Sequence, residues 1–369
     1  MRNPEDQRHL IAQAVLHVRS QRATSRRELA DLMRLSPTTA GQYVDHLISC
    51  GHLNENGLKH GPMGRPKRSL TTNPDAGWFA GIEFNAERIQ GVRVDFSGSK
   101  TENRIISLPE AVTPRAVITE VSKLITALAK KAAGPLLGIG VGVPGIVDPV
   151  AGIARDYAFI ENWKDVPLAS QLQDKHNVTV TLDNNLRVIA LAERWFGAAG
   201  ELADYVILGP RSGFGVAIVM GGKVVTGSQH AAGEIGRWPW EGETALHNVL
   251  SAPAIWRRLT GKTKRASLPT DLRSALAGFA DQRDAARAAI IADYARVIGS
   301  LQLILDTHSY FLHGPLTALG DAFCTDIVAA VQKMVPSLQN KPLRLLRSRL
   351  GDDVGALGAA SLAMEMCVP

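Results

Sequence analysis

Residues 25–51 are SRRELADLMRLSPTTAGQYVDHLISCG, a stretch that predicts two short helices joined by a tight turn. Ser25 and Glu28 form a capping box, in which the hydroxyl accepts from the Glu28 amide and the carboxylate accepts from the cap amide. Ser36, followed by proline, caps the next helix, which is expected to end at Gly51. Two helices around a tight turn, the second opening in small polar residues, are typical of a helix-turn-helix.

The candidate DNA contacts lie near the start of each of these two helices. In a helix-turn-helix the second helix enters the major groove with its N-terminal end, so short polar side chains there approach base edges. The arginines in the opening turn of the first helix of the pair are further candidates for contacts to DNA. The residues predicted on these grounds are Arg26, Arg27, Ser36, Thr38, Thr39, Gln42 and Tyr43.

Residues 52–70 predict two short strands around a tip rich in Gly, Pro and basic residues, as in the wing of a winged helix. Arg65, Lys67 and Arg68 are its candidate DNA contacts, and the Gly-Arg-Pro at 64–66 resembles peptides that place an Arg in a narrow minor groove. Two alternatives stay open. The Gly and Pro residues only shape the turn, or the whole region is a three-helix bundle with no role on DNA.

The basic charge of the chain is concentrated in the same region. The 369 residues carry a formal net charge of +6, and residues 1–72 hold 11 Lys and Arg against 6 Asp and Glu. A basic segment joined to a near-neutral remainder is typical of a nucleic-acid-binding module on a larger body. A solvated basic face is the alternative that charge alone leaves open.

Composition excludes several other classes of protein. A hydrophobic content of 45% is typical of a globular chain, and the first ten residues lack the apolar core of a signal peptide. The sequence contains no run of 18 apolar residues, so it predicts no membrane span. The cysteines are odd in number and far apart, at Cys50, Cys324 and Cys367, so neither a disulfide framework nor a thiolate metal site is predicted. We expect a cytoplasmic protein.

From residue 78 onward, strand patterns alternate with helical ones in two successive sets, which predicts an α/β body of two lobes. A Gly-x-Gly-x-x-Gly string occurs at Gly140, Gly142 and Gly145. A dinucleotide site needs a helix N-terminus directly after the glycines. Because Pro144 intervenes and an extended stretch follows it, we reject that interpretation.

These motifs together resemble the ROK family, which unites bacterial repressors and sugar kinases. The resemblance is carried by Leu-Ser-Pro-Thr-Thr at 35–39, Gly-Arg-Pro at 64–66, the Gly-Val-Pro-Gly-x-Val-Asp string at 142–148 and the Gly/Ala-rich 351–360. It implies a winged helix-turn-helix over 1–72 and a two-lobed actin-like ATPase body. The first lobe is expected over 73–198, with the C-terminal helix 353–369 packing back on it, and the second over 199–352.

The chain departs from the family pattern where the kinases perform chemistry. Their Asp-x-Gly-Gly-Thr phosphate hairpin is replaced by Glu-Phe-Asn-Ala-Glu at 83–87, whose carboxylates are expected to oppose phosphate. Asn185 stands at the catalytic-base position, and an amide cannot accept the proton. Asp183 is an alternative base, although it is expected to point elsewhere. The resemblance therefore implies a protein that is not an enzyme and does not bind ATP.

The family's zinc-binding cysteines are also missing here. Gly-Glu-Ile-Gly at 233–236 is followed by Arg237, and the segment from Arg237 to His247 contains no cysteine. Zinc needs about four S or N ligands, so we expect neither zinc nor any other cofactor. Packing by the tryptophans of this segment is the expected replacement.

The resemblance also implies a small-molecule site between the lobes, built from Pro144, Gly145, Asn184, Asn185, Glu234, Arg237 and His247. Arg237 and His247 replace a His and a Glu of the family, which favours an anionic ligand or one unlike glucose-type hexoses. Local pairing of Arg237 with Glu234, with no ligand bound, is the alternative.

Taken together, the sequence predicts a DNA-binding transcriptional regulator, expected to be a repressor, with a catalytically inactive body that senses a carbohydrate-related effector. Its expected partners are double-stranded DNA carrying an inverted repeat, the effector, and further copies of the chain in a homodimer or tetramer. Residues 285–305 are a candidate dimer helix or an internal core helix. The alternatives are an active ATP-dependent sugar kinase carrying a DNA-binding arm, and an interaction scaffold that binds neither DNA nor ligand.

Overall fold

The computed structural model describes residues 4–59, 67–109, 112–157, 159–200, 202–242, 244–338 and 342–366. The chain divides into two compact units, the first formed by residues 1–188 and 355–369 and the second by residues 189–354. Residues 1–72 are grouped with the first unit, so the predicted three-part division of the chain stays a prediction.

Three helices and a two-stranded antiparallel sheet open the first unit. They are α1 (Pro4–Arg19), α2 (Arg26–Leu32), α3 (Pro37–Ser49), β1 (Leu53–Lys59) and β2 (Lys67–Thr72). The Ser25 and Ser36 hydroxyls cap α2 and α3 by accepting from the backbone amides of Glu28 and Thr39, as predicted. One detail is corrected. The Glu28 carboxylate accepts from the amide of Thr24, at 2.8 Å, instead of the cap amide of Ser25.

The main sheet of the first unit has five strands among the described residues, in the order β10-β6-β3-β4-β5. β10, β6 and β3 are parallel, whereas β4 and β5 continue antiparallel. The apolar side of α4 covers one face of the sheet. The elements are β3 (Trp78–Phe84), β4 (Arg88–Asp95), β5 (Lys100–Ser107), α4 (Pro114–Leu128), β6 (Leu136–Val143), β7 (Ile146–Asp148), β8 (Ile153–Asp156), β9 (Lys164–Val166), α5 (Leu168–His176) and β10 (Val180–Asn184). The next helix, α6 (Asn185–Phe196), begins in the first unit and ends in the second.

The second unit also contains a five-stranded mixed sheet, in the order β13-β12-β11-β16-β17, with β11, β16 and β17 parallel. In its hydrophobic core, apolar side chains of the helices pack against those of this sheet. The elements are β11 (Tyr205–Leu208), β12 (Val216–Met220), β13 (Lys223–Val224), β14 (Pro239–Glu241), β15 (Thr244–Ala245), α7 (His247–Leu250), α8 (Ala252–Thr260), α9 (Leu272–Ala277), α10 (Ala285–Leu305), β16 (Ser309–Leu312), α11 (Gly320–Met334) and β17 (Arg344–Arg347). The α/β class predicted for the body is confirmed.

The last helix, α12 (Val354–Met366), belongs with the first unit and lies directly on β3 and β6. A Cβ added at Gly81 would overlap the carbonyl oxygen of Ala356, and one at Gly140 would overlap that of Ala359. Glycine at these two strand positions therefore allows the helix backbone to touch the sheet. Gly140, the first glycine of the Gly-x-Gly-x-x-Gly string, thus has a packing role.

α10 is the helix of the described residues that is long and apolar enough to cross a membrane, by length and composition only, with a mean hydropathy of 1.5. Half of that apolar window is buried in the protein, as in the core helix of a soluble protein. Two arginines and an aspartate also occur along the full length of α10. Asp293 pairs with Arg258, and Arg287 pairs with Asp326. The helix is therefore weak evidence for a membrane span, and its burial favours the core-helix interpretation.

Candidate functional site

The start of α3 presents most of its predicted contact residues to solvent. Ser36, Thr38 and Gln42 are exposed and Thr39 is half-buried. Tyr43 is the exception, because it is only 7% exposed and belongs to the core of this region. It follows Ala40 by three residues and precedes Leu47 by four, so it shares their buried helix face. The expected exposure of Tyr43 is therefore wrong.

Arg26 is half-buried and pairs with carboxylates from two other elements. Its Nε lies 2.8 Å from a Glu55 oxygen on β1, and its Nη2 lies 2.7 Å from Asp45 on α3. The hydrogen bond from Arg26 lowers the pKa of Glu55, and the same bond raises the pKa of Arg26. Its guanidinium thus joins α2 to α3 and β1, and the DNA contact predicted for Arg26 stays a prediction.

Other arginines remain on the surface of this region. Arg27 is 88% exposed, with Asp31 at 4.0 Å, and Arg68 is 71% exposed, with Glu55 at 3.7 Å. Arg65 lies outside the described residues, and so does the side chain of Lys67. Arg34 was not among the predicted DNA contacts. It is exposed in the turn between α2 and α3, where its backbone has a left-handed φ of 52°. That conformation favours glycine, so no turn pattern in the sequence indicated it, and its contribution to the basic charge was the one available signal.

In the first unit, four predicted effector residues meet at the carboxyl edge of the sheet. Pro144 and Gly145 follow β6, and Asn184 ends the neighbouring parallel strand β10. The Asn184 side chain donates to the Gly145 carbonyl at 2.8 Å and accepts from the Leu186 amide at 2.8 Å. It thereby ties the loop after β6 to the start of α6, where half-buried Asn185 is the first helical residue.

Asp183, the alternative catalytic base, is engaged within the protein. Its carboxylate accepts from the Arg187 guanidinium one turn along α6 and from the Asn184 amide at 2.7 Å. The Asp183 and Arg187 side chains are 10% and 3% exposed. Arg187 was not among the predicted site residues. Asp183 lies on β10 and Arg187 in the first turn of α6, so their pairing depends on the turn from strand to helix between them. This pairing supports the expectation that Asp183 is directed away from a substrate.

Glu83 corrects the interpretation of the degenerate hairpin. Its side chain is buried near the end of β3 and lies against the first turn of α12, where a Cβ on Gly355 would overlap the carboxylate. A helix N-terminus stabilises a negative charge. Glu87 is exposed in the β3–β4 turn, which Asn85 closes by accepting from the Glu87 and Arg88 amides. The two carboxylates therefore do not face a common position.

In the second unit, the structure brings the remaining predicted residues together. Glu234 directly precedes a single helical turn, Ile235–Arg237, and Arg237 ends it. The Arg237 Nε lies 3.9 Å from a Glu234 carboxylate oxygen. His247 opens α7 and is exposed, with its Cβ 3.4 Å from the position of a Cβ added at Gly236. The 3.9 Å contact is the local pairing that the sequence left open as an alternative to ligand binding.

The segment that carries zinc in the family is here a β14–β15 hairpin. The ring of Trp240 packs on the second core, and the Arg296 guanidinium lies 4.8 Å from its centroid. Trp238 is 50% exposed, so one of the two tryptophans of this segment anchors it. In the described part of the chain, no group of three or more His, Cys, Asp or Glu residues is arranged to hold a metal ion. The expectation that zinc is absent stays a prediction.

Comparison with known proteins identifies the class. The model of the ROK family matches residues 79–366, so the chain belongs to the ROK family.

The xylose repressor of Caldicellulosiruptor bescii is 31% identical over 215 residues, covering 58% of this chain and 54% of that protein. The match thus spans about half the length of that relative. The xylose repressor of Bacillus subtilis is 25% identical over 358 residues, covering 92% of this chain and 91% of that protein.

Solved structures show the same fold at low sequence identity. A ROK family transcriptional regulator, a homologue of the Escherichia coli MLC protein, superposes with a TM-score of 0.79 at 18% identity over 98% of this chain and 96% of that one. A ROK family glucokinase from Streptomyces griseus, solved with glucose and AMPPNP, has a TM-score of 0.66 at 18% identity over 78% of this chain and 99% of that one. The fold is therefore that of ROK regulators and sugar kinases.

Proposed function

We propose that this protein is a cytoplasmic DNA-binding transcriptional repressor whose kinase-like body senses a carbohydrate-related effector and is catalytically inactive. The observation that carries the proposal is the arrangement of α2 and α3. Two side-chain-capped helices meet at a tight turn, and the second exposes Thr38 and Gln42 at its start. A helix with this opening fits the major groove, and the β1–β2 pair that follows acts as the wing.

The names of the curated relatives support the regulatory role, because both are called xylose repressors. In this proposal the chain acts as a homodimer or tetramer, and each dimer binds one inverted repeat, since two-fold proteins match two-fold operators. The wing contacts come from Arg65, Lys67 and Arg68, and the base contacts from the start of α3.

The loss of catalysis rests on the residues at the former reaction centre. Asn185 cannot accept a proton, and Asp183 is committed to Arg187. General-base catalysis commonly contributes a factor of about 10²–10⁴ in rate, so its loss leaves little turnover. The β3–β4 hairpin also has no glycine at 83–87, and the buried Glu83 carboxylate lies against the first turn of α12. ATP and zinc are accordingly not part of the proposal.

The effector contacts are proposed from each unit. Pro144, Gly145, Asn184 and Asn185 supply them from the first unit, and Glu234, Arg237 and His247 supply them from the second. Effector binding lowers DNA affinity to the extent that the effector binds the DNA-free state more tightly. Calorimetry with neutral sugars, sugar acids and sugar phosphates identifies the ligand class, and tighter binding of neutral hexoses contradicts an anionic ligand.

A selection of duplexes from a random DNA library, followed by footprinting on the full chain, tests the repressor proposal. We expect an enriched inverted repeat with two protected half-sites. Enrichment of no sequence contradicts the proposal.

An active sugar kinase with a DNA-binding arm is the second candidate, favoured by the fold shared with the ROK glucokinase. A coupled ADP-release assay over a sugar panel separates the two. The repressor proposal predicts no turnover above the no-sugar control, whereas robust turnover with any sugar supports the kinase.

A further inference from the structure

Arg19, the last residue of α1, is buried in the first unit and has no part in the function proposed above. It is 6% exposed. Its Nε donates to the Phe96 carbonyl at 2.9 Å, and its Nη1 donates to the Met364 carbonyl at 3.2 Å. The guanidinium also lies 4.6 Å from the Phe96 ring centroid and 5.3 Å from that of Phe79.

A buried guanidinium is costly, and this one is held mainly by neutral groups. Burial lowers the pKa of Arg19 to about 10, and the charge of Asp95 offsets part of that shift. The side chain therefore still carries its charge at neutral pH. Carbonyl oxygens and aromatic faces compensate a buried cation only when the geometry is well defined. Such a contact is poorly suited to a loose or sliding interface.

The groups that hold Arg19 come from the body, whereas Arg19 itself belongs to the helices that precede β1. Phe79 lies on β3, Phe96 directly follows β4, and Met364 lies in the last turn of α12. A cation at the C-terminal end of a helix is stabilised by the carbonyl groups there. His52, just after α3, packs on the same Phe96 ring with centroids 5.2 Å apart. The junction thus connects α1 and the end of α3 to β3, β4 and α12.

α12 extends this junction toward the carboxyl edge of the sheet. Its first turn lies against Glu83 near the end of β3, and its last turn accepts from Arg19. Between these points it lies on Gly81 and Gly140, where no side chain separates helix from strand. A displacement of either strand therefore displaces the helix to which Arg19 is bonded.

We propose that Arg19 is a positioning residue that holds the DNA-binding region in a fixed orientation on α12 and the sheet beneath it. The importance of this orientation rests on the proposed function, because a repressor dimer must keep its two recognition helices at the spacing of the half-sites. The orientation itself is testable without DNA or effector.

The test is a distance measurement by pulsed electron spin resonance on the full chain. Its three native cysteines are replaced, and nitroxide labels are attached at Ser49→Cys on α3 and Lys123→Cys on α4, both exposed positions. We expect one narrow distance distribution in this parent. In Arg19→Met, which keeps most of the side-chain volume but loses the charge and both hydrogen bonds, the distribution should become at least twofold broader. Arg19→Lys, which retains a cation, should restore part of the narrowness.

Arg93→Met is the matched control for this experiment. Arg93 is also a buried arginine of the first unit, 8% exposed, but its guanidinium donates to the Leu128 and Lys130 carbonyls at 2.7 and 2.9 Å, within the body. The Arg93→Met variant should have a lower melting temperature than the parent, and its distance distribution should stay narrow. An unchanged distribution in Arg19→Met, or equal broadening in Arg93→Met, overturns the proposal.

Two readouts keep the conclusions separate. Far-ultraviolet circular dichroism establishes that each variant is folded, and Arg19→Lys carries the test if Arg19→Met does not fold. In that case an intermediate broadening in folded Arg19→Lys supports the proposal, and a distribution as narrow as in the parent contradicts it. Binding of the labelled parent to a random-sequence 30-base-pair duplex at low salt tests the proposed function. Broadening in Arg19→Met but not in Arg93→Met, together with no DNA binding by the parent, upholds the role of Arg19 and rejects the repressor.

Discussion

Arg27 on α2 is 88% exposed, whereas Arg187 on α6 is 3% exposed and bound to Asp183. The contrast extends to the neighbouring polar residues. Thr38 and Gln42 face solvent at the start of α3, while Asn184 and Glu83 are buried at the edge of the body's first sheet. A region that presents polar groups to solvent is suited to bind a large charged partner. At this sheet edge, polar groups form hydrogen bonds and ion pairs with one another. Such an arrangement stabilises the local structure and is less suited to accepting a proton from a substrate.

The largest effect is expected where the body depends on close backbone contact. Gly140→Ala should lower the free energy of unfolding by about 3 kcal/mol, because its Cβ would overlap the Ala359 carbonyl and force α12 from the sheet. Gly213→Ala is the control, since a Cβ there has open space. Urea unfolding of both variants measures the difference, and equal stability contradicts the packing role of Gly140.

In the N-terminal region, neighbouring residues on α3 should differ. Gln42→Ala should weaken binding to the selected duplex by about 1–3 kcal/mol, which is the usual value of a specific base contact. Tyr43→Phe should leave the affinity within twofold, because Tyr43 is buried. Anisotropy titrations measure both. A larger loss for Tyr43→Phe than for Gln42→Ala shows that α3 docks differently.

The adjacent arginines of α2 sharpen the same comparison. Arg27→Ala should reduce the slope of log affinity against log salt by about 0.9, because one phosphate contact is lost. Arg26→Ala should weaken folding of the region and leave that slope unchanged, since Arg26 is bound to Glu55 and Asp45. Titrations from low to high salt distinguish the two, and a reduced slope for Arg26→Ala contradicts its internal role.

The smallest effect concerns pH. The pKa of Glu55 is lowered in the folded chain by Arg26, so its stabilisation is present above the unfolded pKa and is lost as pH falls through the folded value. Glu55→Gln should therefore cost roughly 1 kcal/mol of unfolding free energy at pH 7 and progressively less below the ordinary pKa of 4.5. Urea unfolding over this pH range measures the loss. In an Arg26→Met background the pH-dependent difference should shrink to the smaller part that Arg68 supplies, and a difference of unchanged size contradicts the pairing.

Much of the fold could be predicted from local sequence signals. The serine caps of α2 and α3 and the alternation of strands and helices are short-range features, and the structure contains them where the sequence indicates. The family resemblance then supplied the long-range pairing of α12 with the first sheet, which no local pattern contains.

The site was less predictable, because the partner of a charged side chain depends on residues distant in sequence. Nothing near Arg26 indicates that Glu55 lies beside it, and Arg19 meets Met364 across 345 positions. The burial of Tyr43 depends on which face of α3 packs against the core. Asp183 and Arg187 are the exception, because they are only four positions apart, across the junction of β10 and α6.

The central claim is that the exposed, basic N-terminal region binds DNA through its phosphates. Fluorescence anisotropy of a labelled duplex with the full chain, repeated over a series of salt concentrations, tests it most directly. The account predicts that log affinity falls linearly with log salt, with a slope of about −0.9 for each phosphate contacted. Affinity that is absent at low salt, or that does not change with salt, would contradict it.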